Sequence, residues 1–234
     1  MGRYEELQKL LDNHQLLKII SGIDNFNFDK AQSVVRAASI AKANAVDLSV
    51  NKKIVTWTKE NYDNLIIFVS SLNPKKLVQS IEWGADVLEL GNFDALYKEG
   101  KTVNKDQVIK WTRELRNLSG NHKLCVTVPG KLEIEEQINL ATQLQAAGAD
   151  IIQVENLVGG DNNPFTNVKA IIEVVEIPVI LSGKLNANSL KYAQLTKANG
   201  YGVGKAVNSL STLDDMVDMV KQLVTCMKKS EILI

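Results

Sequence analysis

The chain has 234 residues, 45% hydrophobic and 23% charged, enough apolar content for a full core, which excludes disorder as its main state. Lys+Arg and Asp+Glu number 27 each, so the formal net charge is +0 and no long-range field draws the protein to a polyanion. Nucleic-acid binding through counterion release needs a local basic stripe, and the sequence holds none.

In chain order, Met1-Gly-Arg-Tyr-Glu-Glu-Leu7 is amphipathic and acid-bearing, with neither an apolar signal region nor a Ser/Arg-rich transit character, and it predicts a short helix over 4–13. Apolar, β-rich runs then predict strands over 18–23, 45–50, 65–70, 87–91, 123–128, 151–155, 178–181 and 201–203. Between them lie stretches with a helical period. The clearest runs from Glu133 to Ala147, with apolar residues at Ile134, Ile138, Leu140, Ala141 and Leu144. Gly84-Ala-Asp86 and Gly148-Ala-Asp150 read as helix stops that pass straight into a strand. The longest apolar runs, such as 177–181, fall far short of the roughly 18 residues that span a bilayer, so no membrane is expected.

Eight βα units in one chain predict an α/β fold, a single (β/α)8 TIM barrel over residues 1–234 with the short extra helix in front. An open doubly wound sheet would place a Gly-rich turn after its first strand, and Gly22-Ile-Asp-Asn-Phe26 is not one. Cys125 and Cys226 lie far apart without metal-ligand spacing, which reads as a reducing compartment and no metal site. Arginine occurs only at Arg3, Arg36, Arg113 and Arg116 amid abundant Lys, Asn and Ile, the codon signature of an AT-rich genome.

The site of such a barrel lies at the C-terminal ends of its strands. Strand alternation points Asp47, Ser49, Glu89, Gly91, Cys125, Thr127, Gln153 and Glu155 inward. Asp47, Glu89 and Glu155, all from even strands, are expected to converge in one mouth, either as acid/base groups or as a hydrogen-bonded layer with a barrel Lys or Arg. Glu89 and Glu155 are the catalytic candidates. Ser182-Gly-Lys184 ends the seventh strand and Tyr201-Gly-Val-Gly-Lys205 the eighth, the usual phosphate position in these barrels. Ser182, Gly183, Gly204 and Lys205 are the expected cradle, the other reading of the glycines being tight turns. Lys184 is either counter-charge or a Schiff-base nucleophile. His14 and His122 fall in connections at the opposite end, and Gly159-Gly-Asp-Asn-Asn-Pro164 is a polar loop able to close over a ligand.

Lys18-Ile-Ile-Ser-Gly-Ile-Asp-Asn-Phe26, Val87-Leu-Glu-Leu-Gly-Asn-Phe-Asp94, Val126-Thr-Val-Pro129, Ala146-Ala-Gly-Ala-Asp-Ile-Ile-Gln153 and Gly202-Val-Gly-Lys-Ala-Val-Asn208 follow one another in register. Together they resemble, over essentially the full chain, the cyanobacterial and plastid family named after hypothetical chloroplast open reading frame twenty-three. The resemblance implies a (β/α)8 barrel, plastid encoding and residence in the stroma, with no reaction to carry over. It also implies a His after the Val-Pro of the fifth strand, where this chain has Gly130.

Two functional readings follow. In the first, the barrel binds a small phosphorylated metabolite or a phosphate-bearing cofactor, as an isomerase, epimerase or lyase. Flavin mononucleotide is the specific cofactor variant, and the lack of an evident donor set for its ring weighs against it. In the second, the protein is a non-catalytic stromal binder or regulator that keeps the barrel and its anion site. The sequence leaves a homo-oligomer open.

Overall fold

A computed structural model describes residues 2–93, 96–97, 100–155 and 165–229. Helix α1 (Arg3–Asp12) precedes β1 (Leu16–Ile20), α2 (Phe28–Ile40), β2 (Ala45–Ser49), α3 (Lys52–Asn61), β3 (Ile66–Ser71), α4 (Pro74–Gln79) and β4 (Val87–Leu90). Then come α5 (Lys105–Ser119), β5 (Lys123–Val128), α6 (Ile134–Ala146), β6 (Ile151–Glu155), α7 (Thr166–Ile172), β7 (Val179–Ser182), α8 (Ala187–Ala193), β8 (Gly200–Val203), α9 (Lys205–Asn208) and α10 (Leu213–Lys229). The strands pair in parallel, each with its chain neighbour, and β8 closes on β1 to complete the barrel. The fold is the expected (β/α)8 TIM barrel.

Two apolar regions hold it. Outward-facing residues such as Leu17, Ile19, Val46, Leu48, Ile67, Val69, Val126 and Val154 pack beneath the helix ring. Inward-facing Leu16, Ala45, Ile66, Phe68, Val87, Cys125, Ile151 and Ile180 fill the N-terminal half of the bore, and Leu7 and Leu11 of α1 plug it from below. That plug is the role of the extra helix.

Strand positions follow the sequence closely, and β5 and β6 match residue for residue. The clearest departure is β1, expected over 18–23. Leu16 and Leu17 pair with Gly200 and Tyr201 of β8, so the strand starts earlier. It ends before Gly22, whose φ of +121° turns the chain out of the sheet.

Asparagine starts the helices. Asn27, Asn51, Asn73, Asn104 and Asn186 each cap an N-terminus by accepting a backbone N–H from the first turn, and Asn73 is followed by Pro74. The N-terminal face carries a second recurring device. Before each even strand stands a left-handed residue, then Ala, then Asp or Asn: Lys42-Ala-Asn44, Gly84-Ala-Asp86, Gly148-Ala-Asp150 and Lys197-Ala-Asn199. In all four the Asx side chain accepts a backbone N–H from the preceding odd strand: Leu17 (2.8 Å), Ile67 (2.9 Å), Leu124 (2.9 Å) and Val179 (2.8 Å). The Asx N–H donates back to the carbonyl of that same residue. The barrel is thus closed at its base by one clamp used four times, one per pair of strands.

Candidate functional site

The C-terminal ends of the strands surround a cavity of about 700 Å³. It is lined from β1 and its loop by Ile20, Ser21, Gly22, Ile23, Asp24 and Asn25, and by Lys30 of α2. From the β4 side come Asn92 and Tyr97, from beyond β5 Lys131, and from the end of β6 Glu155. Ser182, Gly183 and Lys184 follow from β7, and Gly204, Lys205 and Asn208 from β8 and α9.

All the expected phosphate residues, with Glu155 and Lys184, therefore border one space. Ser182 is buried, with its hydroxyl 3.4 Å from the Val154 carbonyl. Gly183 and Lys184 both have left-handed backbone, φ +93° and +56°. That turn needs the glycine, and it swings Lys184 to the rim. Gly204 differs. Its φ is −108°, and a Cβ built there would meet nothing closer than 3.6 Å. Packing does not demand glycine at that position. Asn208 fastens α9 to β1 by donating to the carbonyls of Ile20 (3.0 Å) and Ser21 (3.2 Å). None of the four lining lysines pairs with a carboxylate among the described residues.

The three inward carboxylates do not share this mouth, which corrects the sequence expectation. Glu155 alone of them borders the cavity. Its Oε1 accepts the backbone N–H of Phe93 (2.9 Å) and its Oε2 that of Gly130 (3.1 Å), so it ties together the loops after β4 and β5. Glu89 and Asp47 lie fully buried in a polar layer beneath. There Lys18 forms a buried ion pair with Glu89 and donates to Gln153 Oε1 at 2.8 Å. Gln153 Nε2 reaches Glu89 Oε1 (2.8 Å), Asn92 Oδ1 (3.0 Å) and Thr127 Oγ1 (3.2 Å). Asn92 Nδ2 in turn donates to Asp47 Oδ2 (2.8 Å) and Ser70 Oγ (3.1 Å), and the Ser70 hydroxyl donates to Asp47. Two carboxylates and one ammonium share this dry layer. Burial pulls Lys18 down, but Glu89 and then Asp47 outweigh it and hold the ammonium above its usual range. Burial first, and the Glu89 charge next, push Asp47 up to about 7 against the pull of Lys18, Ser70 and Asn92. Burial also drives the Cys125 thiol well above its ordinary value, which leaves it a core filler.

Glu89, the other carboxylate expected to be catalytic, is thus a partner of Lys18 and has no face on the cavity. Strand reasoning missed Lys18 because it opened the expected strand instead of standing mid-strand, where alternation aims it inward. Asn92 escaped as well, since its left-handed φ of +64° turns it into the bore just past β4. No sequence period signals Lys30, Lys131 or Tyr97, which come from loops and a helix start. The histidines stand where expected, at the other end: His14 beside the Ala198 carbonyl, His122 between the Tyr4 hydroxyl and the Ala85 carbonyl. The loop 159–164 lies outside the described residues. Among those described, no helix is long and apolar enough to cross a membrane, and no three His, Cys, Asp or Glu side chains cluster to hold a metal ion.

Residues 3–233 match the family described as "Protein of unknown function (DUF561)". Among curated proteins, the chain is similar to "Uncharacterized protein ycf23" of Antithamnion sp., 30% identical with 95% of this chain and 88% of the relative covered. The corresponding protein of Cyanophora paradoxa is 30% identical over 97% of this chain and 99% of its own length. Among solved structures, thiamine phosphate pyrophosphorylase from Pyrococcus furiosus superposes with a TM-score of 0.67 at 18% identity, covering 94% of this chain and 98% of that one. KGPDC from Streptococcus mutans (TM-score 0.66, 13% identity, 92% and 97% covered) and 3-hexulose-6-phosphate synthase from Salmonella typhimurium (0.66, 13%, 92% and 99%) share the barrel. At these identities the likeness is one of fold.

Proposed function

The chain belongs to the DUF561 family of proteins of unknown function, and from that premise we propose that it binds a small phosphorylated metabolite in the mouth of its barrel, within a plastid stroma. The phosphate sits on Ser182, Gly183, Gly204 and Lys205, with Lys184 as counter-charge, and the body of the ligand lies against Glu155. The observation that carries this reading is the cavity itself: four lysines border it, and none pairs with a carboxylate among the described residues. Gly204 supports it, since the absent side chain leaves backbone open to an oxyanion. So do the names of two fold neighbours, a thiamine phosphate pyrophosphorylase and a 3-hexulose-6-phosphate synthase, both of which mention a phosphorylated compound. Flavin mononucleotide fits less well, because Ile20, Ile23 and Tyr97 are the only large apolar or aromatic residues that the described lining offers a planar ring system.

If the metabolite is turned over as an isomerase, epimerase or lyase substrate, Glu155 is the acid/base residue. The Lys184 Schiff base is dropped in favour of counter-charge, because Lys184 stands exposed at the rim. One observation favours the second reading, a binder without turnover. Both Glu155 oxygens already accept backbone N–H bonds, and both histidines lie at the far end of the barrel.

The test is native mass spectrometry and absorbance on protein purified gently from its own source, with Lys205→Glu alongside. A co-purifying phosphorylated compound that disappears in Lys205→Glu supports the site. Clean protein, with no thermal shift from inorganic phosphate, sugar phosphates or flavin mononucleotide, rejects it. Glu155→Gln then separates the two readings: turnover lost with binding kept marks an enzyme.

A further inference from the structure

We propose that the ligand carries a second anionic group, a carboxylate or another phosphate, received by Lys131, which stands across β6 from the phosphate seat. The inference rests on the phosphate seat proposed above and adds the chemical class of what extends from it.

The lysines around the cavity fall on two arcs. Lys184 and Lys205 follow β7 and β8, and Lys30 stands in the first turn of α2 after β1; these three strands are consecutive in the closed barrel. Lys131 follows β5, separated from that arc by β6. Its ammonium lies 4.5 Å from the centre of the Tyr97 ring, another lining residue. That contact holds the charge against the cavity wall and leaves its N–H donors to a ligand. Between the arcs stands Glu155, which repels an anion and accepts from a hydroxyl. From Lys131 through Glu155 to Lys184 and Lys205 the wall therefore reads, in order, anion seat, hydroxyl acceptor, anion seat, with the Asp24 carboxylate beyond them on the β1 loop. A ligand matching it has a phosphate at one end, a hydroxyl-bearing middle and a second anion at the other end. A bisphosphorylated sugar and a phosphorylated sugar acid both do so.

Isothermal titration at low salt distinguishes the possibilities, with fructose 6-phosphate, fructose 1,6-bisphosphate and 6-phosphogluconate as probes of one carbon length. The wild-type protein is expected to bind both probes that carry two anionic groups about tenfold more tightly than fructose 6-phosphate, the scale of one added charge-assisted contact. Lys131→Gln erases that advantage and leaves fructose 6-phosphate within about twofold of wild type, whereas Lys205→Gln weakens all three. Equal affinities in the wild type, or an advantage that survives in Lys131→Gln, overturn the second seat while leaving the first intact. No binding of any probe overturns the phosphate seat and this inference with it.

Discussion

At the base of the barrel four turns share one design, a left-handed residue, an alanine and an Asx that clamps the neighbouring strand. At the mouth the described loops follow several designs. After β1 comes a polar loop, after β4 a left-handed asparagine, after β7 a Gly-Lys turn, and after β8 a four-residue helix. Charges follow the same division. Basal Asp86 and Asp150 are paired with Lys59, Arg116 and Lys123, while the lysines of the mouth make no ion pair among the described residues. A repeated device marks the end where only closure of the sheet is required. Less regular loops, with lysines that make no ion pair among the described residues, stand at the end where the proposed ligand binds.

The layer between the two ends should give the largest effect. Lys18→Met leaves Glu89 and Asp47 buried without their cation, and should cost about 3–5 kcal/mol in urea unfolding. Replacing Lys18 and Glu89 together by apolar residues should cost markedly less, since Asp47 can take a proton. A cost for Lys18→Met within about 1 kcal/mol would mean that the layer is hydrated and continuous with the mouth.

The same layer predicts a pH dependence. Asp47 is held at about 7 in the fold against 3.8 ordinarily, so between those values the folded protein binds the extra proton. Stability from this group is therefore greatest at acid pH, falls as pH rises from about 4 to about 7, and levels above, a loss of roughly 4 kcal/mol by linkage. His122 acts the other way: burial lowers its pKa, so its contribution is lost as pH falls below the ordinary value of 6.5. The difference between wild type and Asp47→Asn, followed by unfolding from pH 4 to 8, isolates the Asp47 slope. Parallel curves would place Asp47 in contact with water.

Smaller effects sharpen the contrast between the ends. Asp150→Ala frees the Leu124 N–H and the Arg116 and Lys123 charges, and should cost about 1–3 kcal/mol with ligand affinity unchanged. Lys205→Gln should change stability by less than about 0.5 kcal/mol and yet weaken phosphate binding about tenfold. If instead the basal substitution shifted affinity and the rim substitution shifted stability, the division would be misdrawn.

Much of this was legible in the sequence. Alternating β and helical periods yielded the barrel and most strand bounds, because burial imposes those periods residue by residue. Two of the four basal clamps stood out as Gly-Ala-Asp. The other two were hidden by Lys42 and Lys197, where lysine takes the left-handed conformation usually left to glycine. Alternation also aimed Asp47, Glu89 and Glu155 inward correctly, but not their depth. Depth depends on the stagger of the closed strands, a property of pairing between distant segments. Lys131 and Asn92 were invisible for a related reason: a loop residue's place in the mouth is set by the whole ring of neighbours, not by its own stretch of chain.

Hydrogen exchange with and without saturating fructose 1,6-bisphosphate tests most directly the claim that binding belongs to the mouth and closure to the base. Slowed amide exchange at 182–185 and 203–206, with the clamp amides of Leu17, Ile67, Leu124 and Val179 unchanged, is the expected result. Unchanged exchange at the β7 and β8 loops, or protection appearing first at the basal clamps, would contradict the account.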